Sequence, residues 1–284
     1  MKFSLWTDYG ALNSREVFNS FAYGIRSLGY DIGWNDDVSD VDVIWSVLWR
    51  GRMAPNKSIW QRNMEQSKPT IVLEVGGIKR GTTWKVGLNG INRDAYFGPM
   101  ANSSDRANLL GLVLKPWQAL SEKPIAICCQ NPHSQQWANM PPMSTWVMDT
   151  IDNIRKHSNR HIVVRPHPRA QLYHIEHEWK NVSREIPEKF RETYDDYDFN
   201  PTKYHAVVNW SSNPATQAVI AGVPAFVGPS SLAYDVADDI DFLEKIENPH
   251  MPDRQQWLND IAYTEWTVEE ISQGLPLKRL TNIL

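Results

Sequence analysis

The chain has 284 residues, enough for two domains or one large one at roughly 100–200 residues each. Its composition, 42% hydrophobic and 22% charged, is that of an ordinary globular protein and excludes disordered, collagenous and fibrous classes. With 29 basic against 33 acidic residues the net charge is −4, so no global positive field exists to gather nucleic acid or an anionic membrane.

The chain starts with one short apolar run that turns acidic at Asp8, unlike a signal peptide, so a cytoplasmic location is expected. Lys2–Trp6 predicts a strand stopped by Thr7-Asp8-Tyr9-Gly10. Asn13 or Ser14 then caps a helix through Leu28, with Val17, Phe18, Phe21, Ile25 and Leu28 on one face and Gly29 ending it. Strands are expected at Tyr30–Trp34 and Val41–Leu48, a helix around Lys57–Glu65, and a strongly apolar strand at Thr70–Val75 closed by Gly76-Gly77. That alternation means a parallel sheet with helices on its faces. Apolar runs such as Leu109–Leu114 fall far short of the roughly 18 residues a membrane helix needs, so no membrane partner is expected.

Lys115-Pro116-Trp117 and Lys123-Pro124 frame an expected linker, after which the pattern restarts. Ile125–Cys129 reads as a strand, Ser144–His157 as a helix, and His161–Arg165 and Ala206–Trp210 as strands. Asn213–Ala221 is a helix closed by Gly222, and Ala225–Gly228 a strand after Pro224. The only cysteines, Cys128 and Cys129, are adjacent within an apolar run and read as buried, reduced core residues. The expected organisation is therefore α/β: domains over residues 1–120 and 121–263, with 264–284 returning to the first. Trp266, Val268, Ile271, Leu275 and Leu277 in that last segment cannot all stay in water. Two such units place a ligand in the cleft between them, beyond the carboxyl ends of the strands.

Polar motifs stand at those strand ends. Val163-Val164-Arg165-Pro166-His167-Pro168 takes a strand into two prolines around a histidine, so the imidazole is held rigidly at the carboxyl end. Arg165 can fork onto an anion and His167 can donate to a phosphate oxygen; alternatively His167 is a turn residue satisfied by backbone. Farther on, Asn209-Trp210-Ser211-Ser212-Asn213-Pro214 ends a strand in two serines and opens a helix. Hydroxyls plus the exposed N–H groups of a helix start make a phosphate seat, though either serine can equally be a plain cap. Gln130 lies just past the Ile125 strand and Gln217 on the helix that Asn213 opens, and the resemblance that follows implies a donor-binding role for both. No Walker-type glycine loop with lysine is present.

Together these motifs resemble the capsule polysaccharide synthesis glycosyltransferases, which include the Kdo transferases of bacterial capsule assembly. The resemblance lies in the Pro-His-Pro turn, the Ser211-Ser212 pair, and Ala218-x-x-x-Gly222-x-Pro224 at matching spacing. A weaker match is Leu73-Glu74-Val75-Gly76-Gly77-Ile78-Lys79-Arg80, similar to that family's Glu-Asp-Gly-x-x-Arg stretch, with Asp94-Ala95-Tyr96-Phe97 following in order. The resemblance covers about residues 70–97 and 125–234. It implies a GT-B glycosyltransferase fold of two Rossmann-like domains, with His167 on the donor phosphate and Ser211 and Ser212 cradling it. Two positions depart: Gln217 stands where the family has Glu near the donor ribose, and Val75 where it has the catalytic Asp. The base is then Glu74 or another carboxylate, Asp8 or Asp94.

Sugar transfer needs positive groups for the departing phosphate and a base for the acceptor hydroxyl. The second half supplies the former with Arg165, His167, Ser211, Ser212 and Asn213; the first supplies carboxylates and glycine turns. Asp36-Asp37 and Asp238-Asp239 read as solvated loop or cap residues, so transfer without a metal is expected, the nucleotide sugar being a co-substrate. Glu74, after the strongest strand and before Gly76-Gly77, is the first expectation for the base. The acceptor-binding set is Gly76, Gly77, Lys79, Arg80, Trp84, Trp49 and Arg52, where aromatics interleave with cations. Such residues hold a phosphodiester and stack an extruded base, or equally bind a saccharide. With 13 Trp, the chain also resembles uncharacterised tailed-phage proteins, some of whose relatives sugar-modify hydroxymethylated DNA bases. A 5-hydroxymethylated pyrimidine in double-stranded phage DNA is the first expectation for the acceptor, a surface glycan the second, and a non-catalytic nucleotide-sugar binder the third reading.

Overall fold

The computed structural model describes residues 1–119, 122–190 and 196–284. Contacts divide the chain into two compact units: 1–106 with 259–284, and 107–258.

The first unit opens with β1 (Lys2–Leu5), α1 (Arg15–Ser27), β2 (Asp31–Trp34), β3 (Val41–Trp45), α2 (Asn56–Glu65) and β4 (Thr70–Val75), close to the expected bounds except that β3 ends three residues early, and adds an unexpected β5 (Trp84–Leu88). β2, β1, β3 and β4 lie side by side and parallel, so the strand order reverses between β1 and β3. Every residue of β3 is buried, which explains its uninterrupted apolar run around Asp42. Buried Asp42 is held by Arg62, Lys68 and Asn63. One face of the sheet carries Phe3, Leu5, Val43, Ile71 and Leu73 against Phe18, Phe21 and Ile25 of α1. The other packs Ile44 and Val72 on Ile59 and Trp60 of α2.

After the short α3 (Asp105–Leu109), the second unit runs β6 (Ile125–Cys128), α4 (Met143–Arg155), β7 (Ile162–Arg165), β8 (Val182–Arg184), β9 (Ala206–Asn209), α5 (Asn213–Ile220), β10 (Ala225–Val227) and β11 (Asp238–Asp239). All six strands are parallel in the order β8-β7-β6-β9-β10-β11. Counted within the unit this is 3-2-1-4-5-6, the Rossmann order, whose switch point falls between β6 and β9. Ile125 and Ile127 face α4, while Ala126 and Cys128 face Val207, Ala218 and Val223. Both cysteines are free and buried, and burial pushes the Cys128 thiol up to about 12.

The expected division at 120/121 lies outside the described residues, and the observed one comes earlier, after Arg106. Residues 107–119 dock on the second unit: Lys115 N–H donates to the Ile220 carbonyl and Gln118 N–H to that of Gly222. Buried Arg254 donates to the Lys115 carbonyl at 2.7 Å and stacks on Trp117 at 3.6 Å. Gly222, at φ 79°, passes so close to Pro116 that a Cβ there would meet its carbonyl oxygen at 2.0 Å.

The chain rejoins the first unit through α6 (Gln255–Ile261), then adds β12 (Glu265–Trp266), α7 (Val268–Ser272) and α8 (Leu275–Leu280). β12 pairs antiparallel with β5, and Trp266, Ile271, Leu277 and Leu280 complete the apolar face over α1. No helix among the described residues is long and apolar enough to cross a membrane.

Candidate functional site

In the second unit three polar residues occupy equivalent positions. Gln130, His167 and Ser211 each stand two residues beyond the ends of three adjacent parallel strands, β6, β7 and β9. Gln130 Oε1 accepts from the Ser211 backbone N–H at 3.1 Å and from its hydroxyl at 3.0 Å, tying the loops on either side of the switch point. Asn209 Nδ2 donates to the Ser212 carbonyl at 2.9 Å and to its hydroxyl at 3.0 Å. Ser212 is thereby held as the first residue before α5 without its side chain capping the helix. The N–H groups of the first turn, from half-buried Asn213 onward, are not satisfied by that hydroxyl. Gln217 lies one turn along α5, half-buried. His167 Nδ1 accepts the Arg169 backbone N–H at 3.1 Å, which fixes the tautomer with the proton on Nε2. A half-buried donor at a strand end and an uncapped helix start are what an anion needs.

Arg165 takes another role from the expected one. It is buried, and its guanidinium forks onto Glu185 and the Asp198 carbonyl, with the Phe199 ring at 5.4 Å. As the last residue of β7 it points between β8 and the 198–204 segment, where Tyr204 also donates to Glu185. β8 has no apolar signature, so its acidic neighbour was not legible. Asp238, expected in solvent, is 5% exposed, accepting His250 N–H and facing Lys245.

In the first unit the carboxyl end of β1 opens into a cavity of about 620 Å³ whose lining includes Asp8, Ser14, Arg15, Asn19, Trp34 and Arg52. Asp8 is the one carboxylate among the lining residues, which also include two arginines and Trp34, a tryptophan that is 44% exposed. Of the expected acceptor set only Arg52 lines it.

Glu74 stands two strands from β1, and both its carboxylate oxygens are engaged. Oε2 accepts the Ser46 hydroxyl at 2.5 Å and Oε1 the Val75 N–H at 2.7 Å. Directly opposite it on β5 lies Lys85, 3% exposed, with Nζ 3.3 Å from Asn92 Oδ1. Burial lowers the Lys85 ammonium pKa, while Glu265 and Glu74 oppose that shift. Asp94 sits in an exposed loop, and partial desolvation raises its carboxyl pKa.

The glycine turn is filled from within. A Cβ on Gly76 would meet the Thr83 carbonyl at 2.3 Å and Glu265 Oε2 at 2.4 Å, so the glycine serves internal packing. Glu265, fully buried, accepts N–H bonds from Gly77 at 2.6 Å and Ile78 at 3.1 Å, and the Thr83 hydroxyl at 2.7 Å. Lys79 is exposed and Arg80 half-exposed on that turn. Trp84 packs against the α1 face of the core, and Trp49 tilts on Trp60 at 6.2 Å. Sequence reading passed over Glu265, which acts across 188 positions, and counted Lys85 in a basic surface stretch, where the structure buries it as an improbable core residue. Among the described residues no group of three or more His, Cys, Asp or Glu gathers as a metal cage would.

No known family's sequence pattern matches the chain, and no curated protein does. Solved structures do. Over 98% of this chain and all of theirs, the fold matches the beta Kdo 2,7 transferase of Thermosulfurimonas dismutans KpsC, with TM-score 0.57 and 16% identity. The beta Kdo 2,4 transferase of the same protein matches over 97% of this chain and 98% of its own, with TM-score 0.52 and 12% identity. The fold is that of GT-B glycosyltransferases. Each of the two units is Rossmann-like, as the sequence implied.

Proposed function

We propose that the protein is a glycosyltransferase moving a sugar from a nucleotide-sugar donor to a saccharide hydroxyl. The observation that carries this is the second unit's arrangement: Gln130, His167 and Ser211 at equivalent ends of adjacent strands, beside an uncapped α5. The donor's phosphates sit there. His167 Nε2–H and the helix N–H groups stabilise the departing phosphate, work that a divalent cation does in metal-dependent enzymes, so transfer proceeds without one. His167→Ala should weaken nucleotide-sugar affinity by about 1–3 kcal/mol, or roughly 5- to 150-fold, in calorimetric titration. Unchanged affinity and turnover would remove His167 from the donor seat.

The base is Asp8. It is the carboxylate of the first unit's cavity, whereas Glu74 has both oxygens occupied. Trp34 gives a face for a sugar ring, and Arg15 with Arg52 suits an acidic sugar. A saccharide is favoured over a hydroxymethylated pyrimidine in DNA because Trp84 and Trp49, the rings that would stack an extruded base, are packed against protein. A net charge of −4 also supplies little attraction for a duplex.

The test incubates the protein with UDP-, GDP- and CMP-activated sugars, alone and with acidic or neutral oligosaccharides or hydroxymethylated DNA, and weighs the products by mass spectrometry. Sugar added to an oligosaccharide is the expected result. Sugar added to DNA would restore the nucleic-acid acceptor. Donor binding with no turnover or donor hydrolysis would leave a nucleotide-sugar binder instead.

A further inference from the structure

We infer that Asn35 and Asn56 are positioning residues that clamp the Asp8 turn from both ends. The inference rests on the reading of Asp8 as the base. Asp8 lies in a single 3-10 turn, Thr7–Tyr9, that continues β1 beyond its carboxyl end. Thr7 and Tyr9 are half-buried and Tyr9 stacks on Trp6, but Asp8 between them is exposed, and proton abstraction needs its oxygen placed to within a fraction of an ångström.

Two asparagines hydrogen-bond the turn on either side of Asp8. Asn35, the first residue after β2, accepts the Asp8 backbone N–H on Oδ1 at 3.1 Å and donates from Nδ2 to Thr7 Oγ1 at 3.3 Å. Its own N–H donates to the Leu5 carbonyl at 3.1 Å, and its φ of 49° turns the side chain back across the end of β1. Asparagine is one of the few residues that takes this left-handed conformation readily. From the other side Asn56, fully buried at the start of α2, donates from Nδ2 to the Tyr9 carbonyl at 3.2 Å and the Trp45 carbonyl at 2.8 Å. One amide thus pins the turn to the end of β3. These bonds span the β1/β3 reversal and its β2 flank, so the strand ends that form the crevice are what hold Asp8 in register.

The test compares Asn35→Gly, Asn35→Asp and Asn56→Ala with Asp8→Asn, following nucleotide release from the panel donor with the highest turnover. Glycine takes φ > 0 without strain, so Asn35→Gly keeps the backbone and removes only the clamp. It should lower kcat about 10- to 100-fold, with donor KM changed less than about twofold because the donor seat belongs to the second unit. Asn56→Ala should act likewise. Asn35→Asp keeps the acceptor for the Asp8 N–H and should recover part of the loss. In both clamp-removing variants amide exchange at residues 7–10 should quicken. If both lose less than about fivefold in kcat while Asp8→Asn is inactive, the clamp is wrong and the base assignment stands. A fully active Asp8→Asn, or a wild-type protein that turns over no donor, overturns the assignment and the clamp together.

Discussion

Asp8→Asn should lower sugar transfer by about 10²–10⁴-fold, the usual contribution of a general base, while nucleotide-sugar affinity stays within about twofold. The substitution is nearly isosteric, so the turn and its two asparagine contacts survive and only the proton-accepting oxygen is lost. Three carboxylates competed for the role, and their surroundings separate them. Asp8 looks into a cavity. Glu74 accepts two hydrogen bonds from Ser46 and Val75 and lies beside buried Lys85, an arrangement that fixes the ends of β3 and β4. Asp94 stands on an exposed loop outside the lining. Glu74→Gln and Asp94→Asn should therefore each keep more than about a tenth of the wild-type rate, since neither removes a base. Initial rates of nucleotide release at saturating donor measure all three. A Glu74→Gln protein as inactive as Asp8→Asn would return the role to the first expectation.

Most of the scaffold was legible because parallel strands buried on both faces leave uninterrupted apolar runs. β4, β6, β7 and β9 are such runs, and their bounds fall within a residue or two of the expected ones. β5 was hidden by its own chemistry. Trp84-Lys85-Val86-Gly87-Leu88 contains a buried lysine and a glycine whose Cβ would meet the Gly90 carbonyl at 2.4 Å, neither of which reads as strand. β11 and β12 have two residues each, below any periodicity. The strand-end placement of His167 and Ser211 was legible because a sheet's carboxyl edge is a predictable place and Pro-His-Pro and Ser-Ser-Asn-Pro mark it. Arg165 misled because a strand's last side chain can point inward as readily as outward, and its partners arrive 20 and 33 positions later. The glycine turn misled in the opposite sense. The Gly77 and Ile78 N–H groups are occupied not by an acceptor substrate but by the side chain of the chain's own Glu265.

Arg106→Ala is expected to cost about 3–5 kcal/mol of stability, the loss that follows when one partner of a buried ion pair is removed. The guanidinium is 5% exposed and spends its donors on the returning segment. Nε donates to the Ala262 carbonyl at 2.7 Å, Nη2 to the Glu265 carbonyl at 2.5 Å, and both terminal nitrogens to the Glu270 carboxylate at 2.5 and 2.9 Å. The plane lies 3.8 Å from the Trp266 ring. Alanine would leave two carbonyls without the guanidinium donors and the Glu270 carboxylate with only the Thr267 N–H. The damage should spread, because the same segment carries Glu265 into the Gly76–Ile78 turn and pairs β12 with β5. Lysine should recover little, since one ammonium cannot reach three acceptors in a planar fork. The pH dependence follows from Glu270. Burial raises its pKa, but hydrogen bonds from Arg106 and from the Thr267 backbone more than offset this, leaving it below the ordinary carboxylate value. A group lowered on folding stabilises above its unfolded pKa of about 4.3 and loses that contribution as pH falls through the folded value. The gap between wild type and Arg106→Ala should therefore be widest near neutrality and narrow below about pH 4. Urea unfolding of both proteins across that range measures it. A loss under about 1 kcal/mol at pH 7 would mean that the apolar contacts of Trp266, Ile271, Leu277 and Leu280 hold the segment without the ion pair.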